Sequence, residues 1–307
     1  MSSQPQRVAL ARLPTPLERV DNLVDGASIF VKRDDLTGTA LSGNKVRKLE
    51  YLLAEAIGQN KSRVITCGGL QSNHCRTTAV AAAKLGLKCT VFLRATTPPT
   101  DPPSGNWRLC TIVGADVIIV TPEQYQNRTQ LMADHAGDDA YVIAEGGSTA
   151  LGCFGYIRAF DELLAQWRSP PTSIVCAVGS GGTLAGLILG AARRGIDVPI
   201  CGVNVCDDGP TFQRIVSRLT HEVADRWSEF SSVAENDVTI VEGYMGRGYA
   251  LTTPEEDEQR ARIAAATGHL LDPVYSGKAM RALLAEPERF GRRPLFIHTG
   301  GIFGLLA

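Results

Sequence analysis

From residue 45 onward, apolar runs of strand length alternate with segments of helical spacing, and this alternation constrains the fold more than any other feature of the chain. Val46, Leu49, Leu52, Leu53, Ala56 and Ile57 recur at helical intervals. Arg63 to Thr66 reads as a strand ending at Gly68-Gly69, and the Ala-rich stretch Asn73 to Leu85 reads as a helix stopped by Gly86. Strands follow at Leu87 to Leu93, Ala115 to Val120 and Tyr141 to Ala144, then a helix at Phe154 to Trp167 and a strand at Ser173 to Val178. A helix at Thr183 to Arg193, strands at Pro199 to Val205 and Asp237 to Val241, a Pro-initiated helix from Pro254 to Thr267 and a last strand at Pro294 to Thr299 complete the series. Parallel neighbours must be joined by crossovers of this kind. The expectation is therefore an α/β fold with open, mostly parallel twisted sheets flanked by helices.

In such sheets ligands bind beyond the carboxyl ends of the strands. Three of those loops carry glycine or polar clusters, at residues 67–75, 179–183 and 299–301. With 307 residues, 44% hydrophobic and 21% charged, the chain has room for one large or two medium domains. A net charge of −1 gives no electrostatic reason to bind nucleic acid or an anionic membrane. The longest apolar runs fall short of the ~20 residues of a spanning helix. Met1-Ser2-Ser3-Gln4-Pro5-Gln6-Arg7 lacks the apolar core of a secretory signal. The expected location is the cytoplasm, with import into an organelle left open. The cysteines at 67, 75, 89, 110, 153, 176, 201 and 206 form no C-x-x-C pair, and several lie in strand-like runs. Buried reduced thiols are expected, and no metal, because Cys67, His74 and Cys75 lack a second closely spaced ligand pair.

Val178-Gly179-Ser180-Gly181-Gly182-Thr183 joins a strand to a helix through three glycines and two hydroxyl residues. Glycines let backbone N–H groups approach an anion, and the helix terminus adds its dipole, so the loop suits a phosphate. It is neither a Walker A loop nor G-x-G-x-x-G. Gly38 to Lys45 resembles a Walker A loop only superficially, since Asn44 intervenes and Val46 offers no hydroxyl for magnesium. From residue type and place alone, Lys45 is either a solvated lysine or a Schiff-base lysine. Gln71-Ser72-Asn73-His74 stands at a strand-to-helix junction, where N-capping and carboxylate binding are compatible readings. Asp272-Pro273-Val274-Tyr275-Ser276-Gly277-Lys278 reads as a turn into a small-residue helix, with Tyr275 a core or a site aromatic.

Taken together, Ser42-Gly43-Asn44-Lys45-Val46-Arg47-Lys48-Leu49-Glu50, Gly68-Gly69-Leu70-Gln71-Ser72-Asn73-His74 and Asp272 to Lys278 resemble the D-cysteine desulfhydrase / 1-aminocyclopropane-1-carboxylate (ACC) deaminase family. The resemblance runs from Leu13-Pro14-Thr15-Pro16-Leu17 to His298-Thr299-Gly300-Gly301. It implies a fold type II enzyme dependent on pyridoxal 5'-phosphate. By similarity, Lys45 holds the cofactor aldehyde and moves protons, Asn44 bonds the ring hydroxyl, and Lys48 with Gly179, Ser180, Gly181, Gly182 and Thr183 holds the phosphate. Ser72, Asn73 and His74, with Gln71 nearby, receive the substrate carboxylate. Tyr275 and Tyr249 stand near the reacting carbon, and Thr299 approaches the ring nitrogen. ACC deaminases resemble Asp-Pro-Val-Tyr-Glu-Gly-Lys where this chain has Ser276. A hydroxyl in place of a carboxylate leaves the ring a weaker electron sink, which suits β-elimination of a good leaving group over ring opening.

The resemblance thus implies a carbon–sulfur lyase that converts D-cysteine to pyruvate, ammonia and hydrogen sulfide, with Lys45 or a tyrosinate at Tyr275 removing the α-proton. The alternatives are ACC deamination, a lyase on L-cysteate or another β-substituted amino acid, and a catalytically silent carrier of the cofactor. The implied partners are a small amino-acid substrate and a second copy of the chain. Two domains are expected, residues 48–157 forming the small one and residues 1–47 with 158–307 the large one, closing over substrate.

Overall fold

The computed structural model describes residues 4–21, 23–24, 27–97, 99 and 102–307, so Met1-Ser2-Ser3 of the segment read for a leader lie outside the described residues. Two sheets organise the chain. It begins with strands β1 (Leu17–Asp21) and β2 (Ser28–Lys32) and enters helix α1 (Lys45–Gly58). Next come β3 (Arg63–Gly69), α2 (Asn73–Lys84), β4 (Lys88–Arg94), α3 (Gly105–Ile112), β5 (Asp116–Val120), α4 (Pro122–Gln126), α5 (Arg128–His135) and β6 (Ala140–Val142). Helix α6 (Ala150–Gln166) leads back to β7 (Ser173–Val178), α7 (Gly182–Arg193), β8 (Ile200–Asn204), α8 (Gly209–Arg226) and β9 (Thr239–Val241). Helices α9 (Pro254–Thr267), α10 (Ser276–Ala285) and α11 (Pro287–Phe290) precede β10 (Pro294–Ile297), and a 3-10 turn spans Ile302–Leu306.

The four-stranded sheet has the order β5-β4-β3-β6 and the six-stranded sheet the order β1-β2-β10-β7-β8-β9. Every pairing is parallel except β1 with β2. Helices flank both sheets, as the strand–helix alternation requires. Strand β7 is buried along its whole length, which is why it reads as an unbroken apolar run. Boundaries differ from the sequence reading by a few residues: β3 continues to Gly69 because Gly68 and Gly69 still pair with Leu93 and Arg94 of β4. Among the described residues no helix is long and apolar enough to cross a membrane, and no cluster of His, Cys, Asp or Glu could hold a metal ion. The cysteines are free thiols, all buried except half-buried Cys206.

Two features fix the start of α1. Helix α6 lies directly against it at Gly155, where a Cβ would meet Lys48 N at 2.7 Å. A buried ion network then ties β2, α1 and α6 together. Arg47 Nη2 bonds Asp34 Oδ1 at 2.7 Å, Arg47 Nη1 bonds Glu162 Oε2 at 3.0 Å, and Lys32 Nζ bonds Glu162 Oε1 at 2.5 Å. Tyr156 Oη donates to Asp34 Oδ2 at 2.5 Å. Each charge has a partner, without which burial would be prohibitive.

Candidate functional site

Lys45 is the first residue of α1, and backbone contacts place it. Gly43 N donates to Asp34 O (3.0 Å) and to Thr37 Oγ1 (2.9 Å). Asn44 N donates to Thr299 O at 3.1 Å, in the loop after β10. Gly43 has φ +109°, and a Cβ there would stand 2.8 Å from Thr299 O, so only glycine suits this crossing. Among the described residues Lys45 Nζ has no hydrogen-bond or ion-pair partner. The side chain stays half-exposed because it borders a cavity, although protein surrounds it. Burial lowers its pKa to about 8 against the opposing pull of Glu145 and Asp272.

The cavity beside Lys45 is lined by Asn44, Asn73, the strand end Ala177-Val178, Gly179, Ser180, Gly181, Thr183, Tyr275 and Thr299. Helix α7 starts there without a side-chain cap, after Gly181 at φ +83°. Its first N–H groups lack intrahelical partners. Gly182 N donates to Ser148 Oγ at 3.2 Å, and Ser148 Oγ donates to Ser180 Oγ at 2.8 Å. Lys48 Nζ is buried and reaches Ser148 Oγ and Gly146 O, each at 3.2 Å. A Cβ on Gly182 would lie 2.9 Å from Lys48 Nζ and 2.7 Å from Ser148 Oγ, so only glycine lets the helix terminus approach Ser148 and Lys48 this closely. Burial and the neighbouring Lys45 charge hold the Lys48 pKa well down. Asn44 Nδ2 donates to Thr183 Oγ1 at 3.0 Å and joins the two loops.

A second cavity opens on the other side of Lys45, lined by Gly68, Gly69, Ser72, His74, Glu145, Gly179, Ser180, Tyr249 and Tyr275. Ser72 caps α2 by accepting from Cys75 N at 3.2 Å. A Cβ on Gly68 would fall 2.4 Å from Ser72 Oγ. Buried His74 bonds Thr66 Oγ1 through Nε2 at 2.8 Å and leaves Nδ1 without a partner. Burial, Lys45 and Lys48 drive its pKa well below the usual range, so the ring is neutral. Tyr249 Oη and Tyr275 Oη are 2.6 Å apart. Burial, the neighbouring phenol and Asp272 raise Tyr275 well above the ordinary tyrosine value. Tyr249 is pushed up to about 12, chiefly by burial. Both are therefore neutral phenols. Lys278 Nζ donates to Met245 O (2.8 Å) and Gly248 O (2.6 Å), fixing the loop that carries Tyr249.

Two of the expected residues are engaged elsewhere. The Gln71 amide accepts from Asn106 N (2.8 Å) and donates to Ser104 O (3.3 Å), and Gln71 lines neither cavity. Ser276 is fully buried, and its hydroxyl donates to Asp272 Oδ1 at 2.5 Å while accepting from Asp272 N. The Asp272 carboxylate also accepts from the N–H groups of Val274, Tyr275 and Ser276 at the start of α10. Thr299, in contrast, lines the cavity. Sequence reasoning missed Ser148 and Glu145, which follow the short strand β6; no motif marks either. The arrangement fits pyridoxal phosphate. An uncapped helix terminus in a glycine loop, with the buried Lys48 amine beside it to take up a proton when an anion binds, suits the phosphate, and the partnerless Lys45 amine borders the cavity that this loop lines.

The pyridoxal-phosphate dependent enzyme family model matches residues 8–300. The chain is 40% identical to the bifunctional D-cysteine desulfhydrase/1-aminocyclopropane-1-carboxylate deaminase, mitochondrial, of Arabidopsis thaliana, covering 97% of this chain and 78% of that protein. It is 36% identical to a D-cysteine desulfhydrase of Salmonella paratyphi A, over 98% of this chain and 95% of the relative. The crystal structure of an ACC deaminase homologue superposes with a TM-score of 0.88 at 34% identity, covering 99% of this chain and 94% of the other. Family model, relatives and fold agree: the chain belongs to the fold type II pyridoxal-phosphate-dependent enzymes, in the D-cysteine desulfhydrase / ACC deaminase family.

Proposed function

We propose that this enzyme is a β-eliminating lyase that converts D-cysteine and water to pyruvate, ammonia and hydrogen sulfide. The observation that carries the proposal is the partnerless Lys45 amine, set between the cavity lined by the Gly179–Thr183 loop and the hydrogen-bonded pair Tyr249–Tyr275. Lys45 would hold the aldehyde, Asn44 the ring hydroxyl, and Lys48 with Gly179 to Thr183 the phosphate. When bound, pyridoxal phosphate supplies a carbonyl that takes up the substrate amino group and a ring that draws electrons from the α-carbon. The open N–H groups at the start of α2, with Ser72 and Asn73, receive the α-carboxylate. A neutral His74, whose Nε2–H is spent on Thr66 Oγ1, adds shape there, not charge.

The proton traffic follows from the pKa directions. A lysine at about 8 has an appreciable share of free amine near neutral pH, so Lys45 Nζ is the base for the α-proton. Tyr275, a neutral phenol beside Tyr249, is suited to give a proton or hydrogen bond to the departing sulfur rather than to act as a tyrosinate base. The Ser276 hydroxyl donates its hydrogen bond to Asp272, so Thr299 would be the hydroxyl offered to the ring nitrogen, with no carboxylate to keep that nitrogen protonated. That favours expulsion of thiolate. ACC deamination is the second reading, favoured by the bifunctional Arabidopsis relative and opposed by Ser276. A panel of D-cysteine, L-cysteine, D-serine, L-cysteate and ACC, with Lys45→Ala as control, tests both. Sulfide with pyruvate from D-cysteine supports the first, 2-oxobutyrate from ACC supports the second, and no turnover of any member overturns both.

We also propose that residues 48–157, which hold the four-stranded sheet, move as a small domain against residues 1–47 and 158–307. We propose that two chains pair through the cleft lined by the exposed side chains of Leu36, Leu270, Ile302 and Leu306, an apolar surface of the kind that marks association sites. Sedimentation at twice the chain mass supports the dimer, and a monomer at micromolar concentration overturns it.

A further inference from the structure

Among the side chains lining the cavity that holds Tyr249 and Tyr275, Glu145 is the sole carboxylate. It follows β6 and is gripped from α4 and α5: Tyr125 Oη donates to Oε1 at 2.7 Å, and Arg128 Nε lies 3.0 Å from Oε2. Its charge acts on Lys45 and on Tyr249, so the carboxylate is felt where the substrate reacts. The nearby cations stand one layer further out. Arg128 is 40% and Glu145 42% exposed, so solvent screens their pairing and part of the Glu145 field as well, whereas Arg94 stacks over Tyr125 (4.9 Å) and Tyr249 (5.9 Å). Neither arginine lines the cavity. Once the Lys45 amine is engaged with the cofactor, and with His74 neutral, Glu145 carries the charge that meets a β-substituent.

We propose that Glu145 sets the charge selectivity of this cavity: it admits amino acids whose β-substituent is neutral or a hydrogen-bond donor, as a thiol or hydroxyl is, and turns away those whose β-substituent is an anion, such as a sulfonate or carboxylate. The inference rests on the lyase reading above and narrows it, because it separates D-cysteine from cysteate by charge.

The test is titration of the holoenzyme with both enantiomers of serine and cysteate, and of the isosteric pair asparagine and aspartate, followed by the visible absorbance of the cofactor. The neutral member of each pair binds at least about tenfold more tightly than the anionic one, as expected for like charges in a partly desolvated site. Glu145→Gln narrows that ratio by about tenfold, Glu145→Asp retains most of it, and high salt narrows it in the wild type. A ratio that moves by less than about twofold in Glu145→Gln overturns the proposal. So does a wild type that prefers the anions, which would make Arg94 and Arg128 the deciding charges. Failure of the lyase reading looks different: the charge preference is then present, but neither pyruvate nor sulfide is released. If no amino acid perturbs the cofactor, both fall together.

Discussion

Tyr275 is held by contacts that leave it little choice of protonation state. Its hydroxyl meets Tyr249 at 2.6 Å, and its backbone N–H is bound by the Asp272 carboxylate at 2.9 Å. A positioned proton donor contributes about 10²–10⁴-fold, so Tyr275→Phe should lower kcat/KM for D-cysteine by that order while the cofactor stays bound. Tyr249→Phe, which removes only the partner, should cost less. An equal loss in both would show that the pair acts as one unit, and steady-state kinetics on the two variants decides. Lys45→Ala should abolish turnover and also the absorbance of the lysine-bound cofactor, which separates loss of chemistry from loss of binding. At this scale three glycines after a strand suggested an anion-binding loop directly, whereas residue type and place left Lys45 open and only the resemblance assigned it. Glu145 and Ser148 were not readable. Their place depends on where a three-residue strand ends and on Gly146 and Gly147 turning at φ +67° and +61°.

Helix termini do much of the site's work, and they differ. Helix α2 is capped by Ser72, whereas α7 has no side-chain cap at Gly181 and starts at the cavity beside Lys45. Gly182→Ala should push a methyl group against Ser148 Oγ and Lys48 Nζ and weaken pyridoxal phosphate binding by at least about tenfold, measured by dialysis or fluorescence quenching, because helix-terminus and ammonium contacts together supply over about 1.4 kcal/mol. Unchanged affinity would place the phosphate elsewhere. The main parallel strands were legible because burial on both faces gives them continuous apolar runs. Strands β1 and β2 were not, since Leu-Glu-Arg-Val-Asp carries charge at an edge and Lys32 is buried within a polar network that no local pattern announces. Helix α8 went unread even though Phe212, Val216, Leu219 and Val223 are buried at helical spacing.

The whole molecule depends on the ion network beneath α1. Burial raises the Glu162 pKa, but bonds and charge from Arg47 and then Lys32 outweigh it and hold the carboxyl at about 2, against an ordinary value of 4.5. A carboxyl depressed in the folded state contributes stability that is present above the unfolded value and lost as pH falls towards 2. Glu162→Gln should therefore flatten the decline in stability between about pH 4.5 and pH 2, read by urea unfolding at several pH values, and an unaltered slope would count against the network. The six-stranded sheet also has an order in time. Strand β10, last in the chain, fits between β2 and β7, and the loop after it supplies the Thr299 carbonyl on which Asn44 rests. A ribosome makes Lys45 early, yet the nascent chain has nowhere to seat that lysine until about residue 300 has emerged. Capture of the cofactor should thus wait for residues 294–300, and stalled products lacking them should emerge colourless.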